Sequence, residues 1–277
     1  MLNLIIATIC FSLSFGLIKT QLASLPSDFV VFTRLFLAFL IFMPFIKKGD
    51  FKKQYLAFLI GIIQFGIMFF CFLKAFKYLQ GNEIALLTTT TPIFVGLWAT
   101  LFGERFRLIY IICILLSILG AGIIVWQNIS FDMIVKGILL METSNCAFAL
   151  GQVLWKKYIN DTSPKYMPSA YLGATFFVLP FNIANNSFQI IHAITLNQAL
   201  SILYLALIPT GIGFFLWNKG AIQVSSSILA IMNNLKIPFA ILFSIIIFQE
   251  KINIQNFIIG SSIILFSIFL LNNQLKK

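Results

Sequence analysis

Charge is scarce in this chain, and acid scarcest of all. Only 10% of its 277 residues are charged, 8 are Asp or Glu, and one is histidine. A soluble domain carries about 25% charged residues, so these side chains cannot cover a water-facing surface of this size. The single histidine, His192, falls in an expected loop. That argues against a structural metal site. It also argues against a membrane-embedded enzyme, which needs a cluster of His, Asp or Glu for acid–base or metal chemistry. The four cysteines, Cys10, Cys71, Cys113 and Cys146, lie within apolar stretches and read as small packing residues. No phosphate loop of the form GxxxxGK(S/T) occurs, which excludes a primary pump in one chain. No basic face on a soluble domain exists, so nucleic acid is not an expected partner.

What is abundant is apolar sequence, 60% of the chain. It comes in runs of about 16 to 22 residues, the length a helix needs to cross roughly 30 Å of hydrocarbon. In lipid each backbone polar group must be paired within its own segment, so these runs are expected to be helical. A β-barrel is excluded because the runs do not alternate. The expected fold is all-α and polytopic, with ten transmembrane helices near 3–18, 29–46, 56–73, 84–102, 108–126, 133–154, 167–184, 199–217, 226–248 and 254–271. Between them stand turn and charge signals such as Leu25-Pro26-Ser27-Asp28 and Asn160-Asp161-Thr162-Ser163-Pro164. Asn182, Asn185 and Asn186 make the seventh run the weakest. The first run lacks a basic flank and a small-residue cleavage site, so it reads as a retained span rather than a signal peptide.

The basic residues orient the chain. With a cytoplasmic N-terminus, the inner loops hold twelve: Lys47, Lys48, Lys52, Lys53, Arg105, Arg107, Lys156, Lys157, Lys165, Lys219, Lys276 and Lys277. The outer side holds five: Lys19, Lys74, Lys77, Lys136 and Lys251. The positive-inside bias therefore puts both termini in the cytoplasm, and the net charge of +11 is a topology signal.

An internal repeat is visible. Pro92 and Pro238 stand 146 apart, as do Glu104 and Glu250, and Ala75 and Ala221, while Arg105 pairs with Lys251. In each half a proline lies within an apolar run, and an acid followed by a base ends it. The division falls at 1–130 and 131–277. Five spans per half is an odd number, so the second half is expected to be inverted in the membrane. Such inverted repeats are a common plan among secondary transporters, with a central site that opens to either side.

Phe11-Ser12-Leu13-Ser14-Phe15-Gly16-Leu17-Ile18-Lys19 and Val31-Phe32-Thr33-Arg34-Leu35 resemble the start of EamA-type members of the drug/metabolite transporter superfamily. Thr91-Pro92-Ile93-Phe94 with Leu101-Phe102-Gly103-Glu104-Arg105-Phe106, echoed by Pro238 to Glu250-Lys251, resembles that family's paired signature. The resemblance implies ten helices, both termini inside, and alternating access around a cavity lined by the third, fourth, eighth and ninth helices, with the first and sixth. Asn233-Asn234-Leu235-Lys236 departs from the apolar stretch this family would have there.

An ionisable group at membrane depth is a candidate functional residue. Lys236 lies about ten residues into its run, near the bilayer centre, two residues before Pro238. It either lines a site or forms a structural pair or cap. Glu142 is the only acid well inside a run, and Glu142, Asn145, Ala149 and Gln152 share one helix face. Glu142 is the natural partner of Lys236, a proton carrier, or an acid within reach of headgroup water. Thr210, Gly213 and Trp217 share a face, and the 146 offset matches Gln64 to Thr210 and Thr90 to Lys236. Ser14 matches Ala149 when Gly16 is aligned with Gly151. These residues, with Asn233, could converge on one axis, or serve as helix-packing glue. Trp217 and Trp98 could instead be interfacial belt residues. Arg34 reads as structural, snorkelling outward or paired with Asp28.

The expected function is a secondary transporter of a small polar metabolite, an amino acid or related zwitterion, with an opposed amine and carboxylate as its site. Alternatives are import or exchange of S-adenosylmethionine or a nucleoside-like metabolite, or a non-transporting receptor or scaffold. No cofactor is expected. Partners are the metabolite, the bilayer, and protons or a counter-substrate, in a monomer or homodimer. The Ile, Phe, Asn and Lys bias points to an AT-rich bacterium and so to its inner membrane.

Overall fold

The computed structural model describes residues 1–47, 50–79, 81–104, 108–125, 135–247 and 253–274. The division near residue 130 and the expected pairings of Arg105, Glu250 and Lys251 lie outside the described residues, as do Lys48, Arg107, Lys276 and Lys277.

The described residues are helical throughout, joined by short turns, and hold no strand. The helices are α1 (Leu2–Gln21), α2 (Ser27–Phe45), α3 (Phe51–Ala75), α4 (Gly81–Thr88 and Thr91–Leu101), α5 (Leu108–Val125), α6 (Val135–Ile159), α7 (Pro164–Ala184), α8 (Leu196–Ile222), α9 (Ser226–Met232 and Lys236–Ile246) and α10 (Ile254–Gln274). Eight of these segments are long and apolar enough to cross a membrane; α1 and α5 carry the shorter apolar stretches Leu2–Ile18 and Leu108–Ile124. The chain is thus an all-α polytopic membrane protein. Several helices run beyond their apolar runs, as α3 does through Lys52 and Lys53 and α6 through Lys156 and Lys157. Hydropathy registers only the hydrocarbon-embedded stretch, and the helix continues into the interface. Asn182, which weakened the seventh run, is fully buried and donates to Asp28 O, 2.9 Å.

Two helices are broken at mid-length. α4 is interrupted at Thr89–Thr90 and α9 at Asn233 to Leu235. Pro92 and Pro238 sit in the first turn of each resumed helix, and both are buried. A proline costs nothing there, because the first turn leaves its N–H groups unpaired anyway, while it offers no N–H to the carbonyl four residues earlier and so favours a break in the helix before it. Three further helices widen into π-helical turns, α3 at Ile62–Ile67, α6 at Trp155–Ile159 and α8 at Ala206–Gly213.

Small residues set the closest approaches. A Cβ at Gly61 in α3 would overlap Ala170 O of α7, and one at Gly173 in α7 would overlap Phe58 O of α3. α5 and α10 meet in the same way through Gly120 and Gly260. Between membrane helices packing comes from such backbone contact rather than from hydrophobic burial. The outward faces carry Leu97, Leu101, Phe176, Ile183 and Phe269, all exposed, as a lipid-facing surface requires. Inside, α1 packs on α8 and α9, α3 on α6 and α7, α2 on α7 and α8, and α4 on α6 and α9. These contacts surround a central cavity.

Candidate functional site

The cavity is partly open: about 80 Å³ is free to the centre of a water-sized sphere, within about 630 Å³ of non-atom space that includes solvent at its mouth. Its walls are mainly aromatic. Phe214 of α8 is the hub, with the rings of Phe11 at 4.6 Å, Phe69 at 5.5 Å and Phe148 at 5.7 Å. Phe72 and Met68 extend the same wall. Against this lining stand Ser14 of α1, Arg34 of α2, Thr88 of α4, Ser144 and Asn145 of α6, and Lys236 of α9. Among the described residues the lining has two cations and no acid.

The two cations are held differently. Arg34 is 1% exposed. Its Nε and Nη2 both donate to Thr210 Oγ1, at 2.9 and 2.7 Å, and its carbon centre lies 3.9 Å from the Phe69 ring centroid. Nη1 is buried with no hydrogen-bond partner. Arg34 therefore neither snorkels nor pairs with Asp28; that acid lies 3.8 Å from Lys74 and accepts from Asn185 Nδ2, 2.6 Å. Lys236 opens the resumed half of α9, and its own carbonyl accepts from Ser12 Oγ, 2.9 Å. Among the described residues its Nζ meets no hydrogen-bond acceptor and no carboxylate; the Phe148 ring lies 6.0 Å away.

The α6 polar stripe explains what mends the two breaks. Asn145 Nδ2 donates to Leu87 O at 2.8 Å and to Thr90 Oγ1 at 3.1 Å, and Thr91 Oγ1 donates to Asn145 Oδ1 at 3.2 Å. Thr90 Oγ1 donates to Glu142 Oε2, 2.9 Å. Two turns on, Gln152 exchanges bonds with Asn233 at 3.2 and 3.4 Å, and Asn233 Nδ2 also donates to Leu229 O, 2.8 Å. Asn234 Nδ2 reaches Thr89 O across the two breaks, 3.3 Å. A buried carbonyl released from a helix must find a donor, and these amides supply it. Glu142 is thus engaged with Thr90, and the expected Glu142–Lys236 pair is not formed.

Of the residues picked from sequence, the structure brings Lys236, Asn145 and Ser14 to the cavity, and Ser14 Oγ is buried without a partner. Thr210 stands one bond behind it, through Arg34. Glu142, Thr90 and Asn233 belong to the mended breaks. Gln64 is fully buried and donates to Asn218 Oδ1, 2.8 Å, joining α3 to α8. Trp217 is 1% exposed and lies behind the wall, 5.8 Å from Phe11 and 6.0 Å from Phe148, rather than in an interfacial belt. Arg34 and the Phe214 cluster were not singled out from sequence. An arginine near a span end is indistinguishable from a snorkelling one, and 32 phenylalanines offer no spacing signal. The second helix, through Arg34, also joins the helices expected around the cavity.

Broken helices around a central cavity, in a polytopic bundle, are a plan common among secondary transporters. The EamA-like transporter family matches residues 1–126 and 135–273. A protein named Biotin transporter in Salmonella typhimurium is 34% identical, across 96% of this chain and 91% of its own length. One with the same name in Escherichia coli is also 34% identical over the same shares. A solved crystal structure superposes with a TM-score of 0.80 at 14% identity, covering 100% of this chain and 98% of the other. The chain belongs to the EamA-like transporter family. It is a transporter of a small metabolite and not an enzyme.

Proposed function

We propose that this transporter carries biotin, or a carboxylate of the same build, across the bacterial inner membrane by alternating access. The observation that carries this reading is the cavity itself: aromatic walls, two cations and, among the described residues, no acid. Biotin has a carboxylate on an apolar chain and a neutral polar ring system at the other end. An anion with an apolar body suits such a lining, since buried charge must be paired. An amino acid or S-adenosylmethionine would bring a positive group for which the described lining has no acid, because Glu142 is bonded to Thr90. The names of the relatives support the same substrate.

Alternating access rests on the two halves, 1–130 and 131–277, working as inverted repeats. Supporting it, the helix contacts come in matched pairs when α1–α5 are exchanged with α6–α10: α3 on α6 with α8 on α1, α3 on α7 with α8 on α2, and α4 on α6 with α9 on α1. The offset of 146 also carries the α3 π-turn at 62–67 onto 208–213 in α8. Both termini are cytoplasmic in this reading, by the distribution of lysine and arginine.

The test is uptake of labelled biotin by a biotin-requiring bacterial strain without its own uptake system, followed by flux in proteoliposomes. Accumulation above the empty vector supports the proposal. Binding without flux identifies a receptor, and the absence of both binding and flux refutes the biotin assignment.

A further inference from the structure

Arg34 is buried to 1% exposure, yet no carboxylate among the described residues pairs with it. A guanidinium keeps its charge inside a protein, and a buried charge is retained where something pairs with it. Thr210 Oγ1, a neutral oxygen, takes both Nε and Nη2. Thr210 is itself braced from behind, because the Tyr171 hydroxyl donates to Thr210 O and to Gly211 O within the α8 π-turn. The Phe69 ring fixes the plane of the guanidinium from one side. What remains is Nη1, buried without a partner on a side chain that lines the cavity.

We propose that Arg34 is the residue that recognises the substrate's carboxylate, with Thr210 as the positioning residue that aims it, while Lys236 takes the carbonyl oxygen at the substrate's other end. This rests on the anionic-substrate reading above. A planar fork anchored on one edge leaves a directional donor for a carboxylate. An ammonium on a flexible stem, with no anchor, is a point charge that accepts any oxygen. Substrates of this class therefore carry an acid at one end of an apolar body and a neutral acceptor at the other.

The experiment measures Kd for biotin and for biotinamide on the purified full chain. Wild type is expected to prefer the acid by about tenfold or more, the factor a charge-assisted hydrogen bond commands. Arg34→Gln and Thr210→Val bring that ratio close to one. Lys236→Met weakens acid and amide alike and leaves the ratio as it was. Should Arg34→Gln fail to fold, Arg34→Lys and Thr210→Val decide by the same ratio. The proposal is overturned if wild type binds the amide as tightly as the acid, if the Arg34 and Thr210 variants keep the preference, or if Lys236→Met is the variant that loses it. If wild type binds neither, the biotin assignment fails, and the comparison is repeated with 6-acetamidohexanoate, an acid with a neutral carbonyl at its other end, against its amide. An Arg34-dependent preference there keeps this proposal, and its absence ends both.

Discussion

At one end of the bundle Lys156 lies 3.0 Å from Glu104, with Ser226 Oγ bonded to both, so that α4, α6 and α9 are tied together. At the other end Asp28 meets Lys74 and Asn185, tying α2, α3 and α7. On the first side Tyr166 also bonds Asp50, a contact that holds this carboxyl below its usual range. Midway between, Arg34 and Lys236 face a shared cavity with no acid among the described lining residues. Lys156 and Glu104 stand partly exposed, where water screens them and such pairs contribute about 0 to 1 kcal/mol; Asp28 is buried, but it keeps Lys74 and Asn185 beside it. The charges in the middle are costly to keep unpaired. The contrast teaches that the end pairs serve the scaffold, and that the middle charges are kept for something that arrives from outside.

The sharpest way to break the comparison is to neutralise the middle. Arg34→Gln should reduce substrate binding by about 2 to 5 kcal/mol, as truncating one side of a buried charged pair does, and Lys236→Met by about 1.5 to 3 kcal/mol, as losing a hydrogen bond from a charged donor does, with membrane expression unchanged. Calorimetric titration with biotin measures the loss; wild-type affinity in both would make the cations structural. The converse change supplies the missing acid. Ser14→Asp places a carboxylate on the cavity wall, where Ser14 Oγ now lacks a partner. It should weaken anion binding by about tenfold or more while leaving the melting temperature equal to wild type or higher. A variant that binds as well as wild type would mean the substrate does not use these charges.

A smaller effect separates the cavity from the mended breaks. In double-mutant cycles Glu142 should couple to Thr90 by about 1 kcal/mol, the worth of one hydrogen bond. Its coupling to Lys236 should stay within about 0.5 kcal/mol, as for residues sharing no contact. The reverse ranking would restore the ion pair suggested by the sequence. Smallest of all, Glu104→Gln should cost at most about 1 kcal/mol of stability and leave biotin affinity unchanged, read by thermal melting and titration.

Much of the fold was legible because hydrocarbon imposes one rule on every segment: long apolar runs become helices. The prolines at 92 and 238 pointed to irregular helices at the centre, and Lys236, Asn145 and Ser14 on the cavity follow from the cost of polar atoms at that depth. What stayed hidden was partnership. Glu142 and Lys236 are the obvious pair by charge, but Thr90 reaches Glu142 because the break in α4 turns that hydroxyl toward α6. Arg34 looked peripheral because position along a span says nothing about which helix stands opposite. Only the α2–α8 contact, with Thr210 in a π-turn, converts it into a cavity residue. The polar face of α6 was visible as a stripe, yet its division between Asn145, which touches both cavity and break, and Gln152, which serves α9, depends on where two other helices fail.

The central claim is that the unpaired cations in the middle hold the substrate, Arg34 by its carboxylate and Lys236 by its neutral end. A structure of the full chain with biotin bound tests it most directly. The account predicts the carboxylate in the central cavity, with one oxygen about 2.7 to 2.9 Å from Arg34 Nη1, the length of a charge-assisted bond, and the ring system toward Lys236. Biotin lodged elsewhere, as in the polar recess beside Asp28 and Lys74, or bound with its carboxylate away from Arg34, would contradict it.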